Sequence, residues 1–574
     1  MDQRLFLAIA LSMLVLIGYY LIFPPPTPRN TSQQPPEAGS ETSRGDFQPA
    51  QSESVASLGT AAQREAPASV TNAAIKGRLI EIQTPLYSAT INTRGGNLTR
   101  FELTNYRVAK ESIDWGDLIS PLRQFIDKAE IDPYAQVDMA TTQIAGKEMF
   151  ALRFIGEDSL SRQYQQKIFT ADRKAIRLYG GDGQSKRLVL TASGPDGLTV
   201  EKTFTFHPDS YVVDYQLAVI NYGKEVRQLR MASLFGEGPP GVKVAQRFGG
   251  HQGPMWREDG DVDTEDADDI SGNLIVREPD WLGITDTYFL TVAQANSQIS
   301  HAFYEAEEVL TDEDSVWIAS YGIELPQVEL QPNKMVTSDM KVYLGPKKVT
   351  EMQKFGAKLE DSLDLTLEVL ARPMLALMRW FYGFTGNYGV AIILLTVVVR
   401  VLLFPLTYKG MTNIKRMQKL QPRIVTLREK FKKDKERLNK EMMALYKKHK
   451  MNPLGGCLPI ALQMPIFFAL YWALLSAIEL RHEPFIFWIA DLSSKDGLYI
   501  TPLLMGGSMF VQQRLTPASM DPTQRKIMMW MPVIFMFFMM GFPAGLVLYW
   551  LTSNLLSIAQ QLLINRIKVP EPVD

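Results

Sequence analysis

The sequence contains very few of the residues that form disulfides or metal centres. It has one cysteine, Cys457, among 574 residues, which excludes an intrachain disulfide framework and a cysteine zinc site. Its five histidines are scattered without the spacing of metal ligands, so neither a metal site nor a bound cofactor is expected. The G-x-x-x-x-G-K-[ST] motif is also absent, which excludes a P-loop ATPase.

Acidic residues are missing from the long apolar runs near the end of the chain. Residues 454–478, 499–515 and 527–564 contain no Asp or Glu. The overall composition hides these runs, because 46% hydrophobic residues and a net charge of −2 would suit a soluble protein. The runs predict membrane-spanning helices. Their lack of acids argues against the main alternative, an ion-coupled polytopic transporter, because such proteins usually need carboxylates inside the membrane.

One further apolar run, from Asn387 to Tyr408, contains a single charged residue, Arg400. At about 1.5 Å per helical residue, Arg400 lies roughly 18 Å after Tyr388, well inside a hydrocarbon layer about 30 Å thick. An arginine at this depth costs between about 3 and over 10 kcal/mol unless it is solvated, and it does not release its proton. Because the other runs offer no carboxylate, we expect water to enter between the helices. The alternative is a structural arginine that extends toward the cytoplasmic headgroups.

The beginning of the chain predicts a membrane anchor followed by a tether. Leu5 to Phe23 carries no charge and is long enough to span. No small-residue cleavage site follows it, so residues 1–23 are predicted to be an uncleaved signal anchor with a cytoplasmic amino end. Residues 24–74 are rich in Pro, Ser and Gln and have almost no large apolar residues, which predicts a disordered tether.

Residues 75–350 show short runs with a period of two, bounded by Gly, Pro, Asn or Asp. This pattern predicts a large antiparallel β-sandwich. With no paired acid and base motif evident there, an enzyme is not expected.

An acidic stretch, residues 257–269, lies within this region. Asp259, Asp261 and Asp263 alternate as in a calcium loop. However, Thr264 replaces the glycine of such a loop and Ile270 replaces its final glutamate. The stretch is therefore interpreted as a solvated acidic loop.

Residues 351–381 change to a helical pattern. Apolar residues recur at three- and four-residue steps from Leu363 to Met378, which predicts connecting helices, one of them in the membrane interface. The alternative is an ordinary helix packed on the sandwich.

Residues 409–452 contain fifteen Lys or Arg and four acidic residues. The positive-inside rule places this segment in the cytoplasm, so the sandwich lies on the other side of the membrane. Two apolar stripes predict a basic helical hairpin. Such a hairpin binds either the anionic lipid bilayer or a ribosome with its nascent chain. Nucleic acid is not expected, because the basic residues lack interleaved aromatics.

The remaining apolar runs complete the membrane core. Residues 527–564 are too long for one crossing, and Gly541 to Gly545 divides them into two spans. The predicted fold is therefore multi-domain: an all-α polytopic membrane core and a large antiparallel β-sandwich. It has six transmembrane helices in total, five of them in residues 382–565, and the tail, residues 566–574, is cytoplasmic.

Several short motifs in residues 370–565 resemble the YidC/Oxa/Alb family of membrane protein insertases. They are Asn452 to Cys457 (NPLGGC), Gln463 to Phe467 (QMPIF), Phe542 to Tyr549 (FPAGLVLY), and the single Arg400 before Pro405. The resemblance implies a hydrophilic groove that opens to the cytoplasm and to lipid and is closed on the outer side. It also implies a sugar-mutarotase-like sandwich in the periplasm of a Gram-negative bacterium, with the core in the inner membrane.

The resemblance further implies a function and partners. Members insert and fold membrane proteins, alone or with the Sec translocon (SecYEG, SecDF), and the basic hairpin and C-terminal tail would contact the ribosome. Thr396, Arg400 and Gln463 match groove-lining positions of the family, whereas Trp550 falls where relatives often have Tyr. From the sequence itself, Thr552, Ser553 and Asn554 are polar neighbours that could help Arg400 hold the acidic part of a nascent client.

Overall fold

The computed structural model describes a β-rich region followed by α-helices. The described residues are 77–108, 135–140, 146–181, 183–237, 251–270, 272–310, 315–363, 368–431, 434–448, 458–515 and 522–566. The predicted signal anchor, the tether, Cys457 and residues 567–574 of the predicted tail lie outside these ranges.

The β-rich region, residues 78–346, is called the β domain below. Its strands are β1 (Leu79–Gln83), β2 (Tyr87–Asn92), β3 (Asn97–Arg107), β4 (Gln136–Asp138), β5 (Leu152–Phe154), β6 (Thr170–Ala171), β7 (Ala175–Arg177), β8 (Lys186–Ser193), β9 (Leu198–Phe206), β10 (Val212–Asn221), β11 (Arg227–Leu229), β12 (Met231–Leu234), β13 (Gly253–Glu258), β14 (Asp261–Thr264), β15 (Asn273–Val276), β16 (Trp281–Thr285), β17 (Phe289–Ala295), β18 (His301–Leu310), β19 (Ser315–Glu324), β20 (Val328–Leu330) and β21 (Met335–Pro346). A short helix, α1 (Asp158–Gln166), follows β5.

The strands form three large sheets and a two-stranded one. The largest sheet has the order β14-β13-β16-β17-β21-β10-β9-β8-β6, and two five-stranded sheets have the orders β4-β3-β2-β1-β7 and β15-β18-β19-β12-β5. Apart from the parallel pair β1 and β7, the named pairs are antiparallel, as the period-two pattern predicted. Residues from all three large sheets share one buried apolar core.

A buried lysine links two of these sheets. Lys202 in β9 is 1% exposed. Its Nζ donates to the backbone oxygens of Gly95 and Phe150 at 2.7 Å each and to Asn97 Oδ1 at 2.9 Å. Buried polar groups must be hydrogen-bonded. Lys202, which lies in the facing sheet, provides the donor for the buried acceptors of the turn between β2 and β3.

Residues 257–264 of the acidic stretch belong to a β-hairpin rather than to the predicted solvated loop, whereas Asp266, Asp268 and Asp269 after it are exposed. β13 pairs antiparallel with β14, from Met255 opposite Thr264 to Glu258 opposite Asp261. Asp259 and Gly260 connect them with φ angles of 53° and 94°. An Asp-Gly pair adopts such angles readily and favours a two-residue hairpin turn, which is the signal that the loop interpretation missed.

The helices after the β domain are α2 (Val349–Phe355), α3 (Glu368–Thr385), α4 (Tyr388–Lys419), α5 (Gln421–Lys430), α6 (Lys435–Lys448), α7 (Leu458–Ser476), α8 (Ile500–Leu515), α9 (Pro522–Met539) and α10 (Ala544–Arg566). Two helical segments in the described ranges, Tyr388–Thr412 and Ala544–Ile564, are long and apolar enough to cross a membrane by length and composition; Gln463–Ser476 and Met529–Met539 are shorter apolar segments. The chain leaves helical geometry between α9 and α10, where a break was predicted.

The predicted connecting segment divides between the two regions. Met352 and Phe355 of α2 are buried in the β-domain core. Helix α3 instead contributes Met374 and Met378 to a second apolar core that it shares with α4, α7 and α10. Arg379 on α3 also donates to Glu479 at 2.9 Å, beyond the end of α7.

The loop between α7 and α8, residues 477–499, docks on the β domain. Ile478 belongs to the β-domain core. Arg481 is 9% exposed, donates from Nη2 to the Val108 oxygen at 3.0 Å, and lies 5.1 Å and 5.7 Å from the ring centres of Phe289 and Tyr288. Burial lowers the pKa of this guanidinium, and the nearby Tyr288 and Asp286 oppose that shift.

We expect Lys202→Met to destabilise the β domain by at least about 3 kcal/mol, because it leaves three buried acceptors without a donor, at about 1–3 kcal/mol each. Unfolding of the purified protein in denaturant measures this loss of stability, with protease resistance of the β domain as the signal. Lys174→Met is the matched control, because Lys174 is exposed. Equal midpoints for both variants would contradict the linking role of Lys202.

We expect Arg481→Ala to loosen the α7–α8 loop from the β domain. The change removes a charged hydrogen bond and two cation–π contacts, each worth about 0.5–2 kcal/mol. Amide hydrogen exchange should rise at residues 286–290 and in the loop, and Arg481→Lys should not restore protection because an ammonium does not stack as a planar guanidinium does. Unchanged exchange in Arg481→Ala would show that Ile478 and its neighbours dock the loop without the arginine.

Candidate functional site

Helix α4 fixes the depth of Arg400. Asn387 caps the start of the helix, since its Oδ1 accepts from the Val390 backbone N–H at 3.1 Å. The Asn387 Nδ2 donates to the Phe485 oxygen in the α7–α8 loop at 3.0 Å. The amino end of α4 is therefore tied to this loop. Arg400 follows 13 residues later, about 20 Å along the helix axis at 1.5 Å per residue.

Arg400 is held by a neutral partner. Its Nε donates to Ser553 Oγ on α10 at 3.2 Å, and its Nη2 donates to the same oxygen. Within the described ranges, Arg400 forms no ion pair with a carboxylate, and its hydrogen bonds go to the Ser553 hydroxyl. The guanidinium is partly buried and keeps its charge.

Two further polar residues lie next to this contact. Tyr549 precedes Ser553 by four residues and therefore lies on the same face of α10. Gln463 on α7 donates from Nε2 to Tyr549 Oη at 2.6 Å. Arg400, Gln463, Tyr549 and Ser553, called the polar cluster below, thus join α4, α7 and α10. They offer guanidinium, amide and hydroxyl groups, which bind anions and hydrogen-bonding groups rather than metals.

The apolar core between these helices lies on one side of the polar cluster. Its buried residues are Tyr388, Ala391, Ile392 and Leu395 of α4, Ala469 to Leu475 of α7 except Trp472, and Ala544 and Leu546 to Tyr549 of α10. These residues lie in the parts of α4, α7 and α10 that are nearest to the α7–α8 loop. On α10, Gly545 donates to the Leu492 oxygen of that loop at 2.9 Å. The apolar core therefore ends where the polar cluster begins.

The structure brings only some of the predicted site residues together. Arg400 and Gln463 belong to the polar cluster. Thr396 is fully buried and donates to the Ile392 oxygen of its own helix at 2.7 Å. Asn554 is 6% exposed and donates to Ser508 Oγ of α8 at 3.1 Å, away from α4.

The two other predicted residues are partly exposed. The Trp550 ring lies 4.7 Å from the ring centres of both Phe467 and Phe535, which makes it part of an aromatic group beside the cluster. Thr552 lies on the same helix two residues later.

Sequence reasoning missed Tyr549 and did not separate Ser553 from its neighbours. Ser553 and Asn554 are adjacent, yet they contact different helices because successive helical residues are about 100° apart. The spacing of four between Tyr549 and Ser553 is the signal that could have paired them.

Known protein families match both regions of the chain. The family model described as "60Kd inner membrane protein" matches residues 380–571, and the one described as "YidC periplasmic domain" matches residues 120–377. Together they include the β domain from residue 120 onward and the helical region with the polar cluster.

Curated relatives match over nearly the whole length. The chain is 36% identical over 584 residues to "Membrane protein insertase YidC" of Syntrophus aciditrophicus (strain SB), covering 99% of this chain and 100% of the relative. It is 35% identical over 575 residues to the protein of the same name from Geobacter metallireducens, covering 99% and 98%.

Among solved structures, "Active YidC insertase crystal structure with the first transmembrane domain resolved" covers 84% of this chain and 94% of its own, with 16% identity and a TM-score of 0.36. The family models and the curated relatives confirm the resemblance seen in residues 370–565 and extend it to the β domain. The chain therefore belongs to the YidC family of membrane protein insertases.

Proposed function

We propose that the chain inserts and folds integral proteins of the bacterial inner membrane, alone or with the Sec translocon. The proposal includes six transmembrane helices with both termini in the cytoplasm and the β domain as a periplasmic β-sandwich. The groove for clients lies between α4, α7 and α10, on the cytoplasmic side of their apolar core.

One observation carries the proposal. Arg400 lies within the apolar part of α4, and its contact in the described residues is the hydroxyl of Ser553. An arginine without a carboxylate partner needs water or a polar guest at this depth. Keeping an unpaired arginine at this depth costs free energy. Such a charge suits a site that binds charged segments of a client protein.

The packing supports a groove that opens to one side. Buried apolar residues fill the space next to the α7–α8 loop, which docks under the β domain through Arg481. The opposite ends of α4 and α10 lead to basic residues, and positive charge marks the cytoplasmic side. The groove is therefore closed toward the periplasm and open toward the cytoplasm.

Such a groove lowers the cost of moving a hydrophilic segment. Each unpaired backbone polar group costs several kcal/mol in hydrocarbon, and a half-channel that holds water shortens the dry distance. Helix α8 has only 16 residues, about 24 Å at 1.5 Å per residue, so a thinner bilayer would surround it. The acidic part of a client waits at Arg400 before it crosses.

The apolar part of a client leaves the groove into lipid. Met464 and Phe468 on α7 and Leu555 on α10 are exposed apolar residues, so the outer faces of these helices offer a path with little polarity. Without a P-loop motif, hydrophobic transfer of the client and the membrane potential provide the driving force. The basic segment with α5 and α6 meets anionic lipid or the ribosome.

We expect Arg400→Ala to lower the insertion of clients with acidic translocated segments by roughly 5- to 30-fold, the effect of losing about 1–2 kcal/mol. Arg400→Lys should retain most insertion, because the positive charge stays. The measurement is protease protection of a reporter client in vesicles that contain each variant.

A client with a neutral translocated segment is the control for this experiment, and its insertion should change little. Equal activity of Arg400→Ala and the unchanged protein for every client would show that the charge is dispensable. Photocrosslinking from Gln463 and Trp550 to a stalled client tests the groove independently.

A further inference from the structure

The anchor of Arg400 is a hydroxyl, although a carboxylate is the usual partner of a guanidinium. Ser553 Oγ accepts from Nε and from Nη2, two of the five N–H donors of the side chain. One edge of the guanidinium is therefore held by α10, and three donors on Nη1 and Nη2 are left for other partners.

Ser553 is itself fixed in place. It is 6% exposed, so it has little room to turn away from α4. The next residue, Asn554, bonds to Ser508 of α8 at 3.1 Å, and Tyr549 one turn earlier bonds to Gln463 of α7 at 2.6 Å. These contacts on both sides of Ser553 fix the rotation of α10 about its axis.

A neutral anchor and a charged anchor would have different consequences. A carboxylate at position 553 would bind Arg400 through two parallel hydrogen bonds and cancel its charge. A hydroxyl orients the guanidinium equally well but leaves the full positive charge. The choice of anchor therefore decides how strongly the groove attracts negative charge.

We propose that Ser553 is a positioning residue that directs Arg400 into the groove while leaving its charge uncompensated, and that it thereby sets the preference of the groove for acidic client segments. This inference rests on the proposed function. It identifies the favoured guest as a polypeptide segment that carries carboxylates.

The test compares Ser553→Asp with Ser553→Asn, which have nearly the same shape and differ in charge. Two reporter clients differ only in their translocated segment, one acidic and one neutral. Ser553→Asp should insert the acidic client about tenfold less well than Ser553→Asn, a factor equivalent to about 1.4 kcal/mol. The neutral client should show no such difference between the two variants.

A matched pair at the neighbouring residue separates anchoring from simple repulsion. Thr552→Asp and Thr552→Asn introduce the same change about 100° around α10, where Thr552 is partly exposed. The difference in acidic-client insertion between the two Thr552 variants should be clearly smaller than the difference between the two Ser553 variants. Protein level and protease resistance of each variant confirm that it is folded.

Three results would overturn the inference. They are equal insertion by Ser553→Asp and Ser553→Asn, an equal loss for acidic and neutral clients, and an equal loss at positions 552 and 553. Arg400→Ala is measured in parallel. If it lowers insertion of the acidic client while the two Ser553 variants match, the positioning role is wrong and the proposed function stands. If Arg400→Ala has no effect on either client, the proposed role of Arg400 in holding acidic segments fails, and the positioning role of Ser553 fails with it.

Discussion

A positive charge that pairs with no carboxylate of the described residues, Arg400, is the constraint on the helices around it. Arg400 cannot lose its proton, and burying it in a dry helix bundle would cost several kcal/mol. The chain meets this constraint with the hydroxyl of Ser553 on α10, beside which Gln463 and Tyr549 form a further hydrogen bond. A hydroxyl partner orients the guanidinium without removing its charge.

Apolar packing and a docked loop lie at one end of the helices that hold Arg400. Apolar packing between α4, α7 and α10 fills the half next to the α7–α8 loop, and Asn387 ties α4 to this loop. Arg481 and Ile478 then join the loop to the β domain. The β domain is thus joined to the end of the helical region that holds the apolar core, through one buried cation and the apolar residues around it.

The sequence predicted the large features because each follows from a strong pattern. Period-two runs indicated the antiparallel sheets, and Gly541 to Gly545 indicated the break between α9 and α10. The hydrogen-bond partners of the site residues were less predictable, because a serine in an apolar helix can face any neighbouring helix. The packing of α10 shows that Ser553 contacts α4 and Asn554 contacts α8. Arg481 lies in a loop without periodicity, and the Asp259-Gly260 turn was hidden by an apparent calcium motif.

Water access at the depth of Arg400 is the most direct test of this account. In a Cys457→Ser background, Gln463→Cys and Leu402→Cys would be labelled with a membrane-impermeant maleimide, which reacts with thiols in water. Gln463 is in the polar cluster, whereas Leu402 is two residues from Arg400 on α4 and is 73% exposed among apolar neighbours. The account predicts labelling from the cytoplasmic side at Gln463→Cys and none at Leu402→Cys. If Gln463→Cys is as unreactive as Leu402→Cys in folded protein, the groove is dry and the account is contradicted.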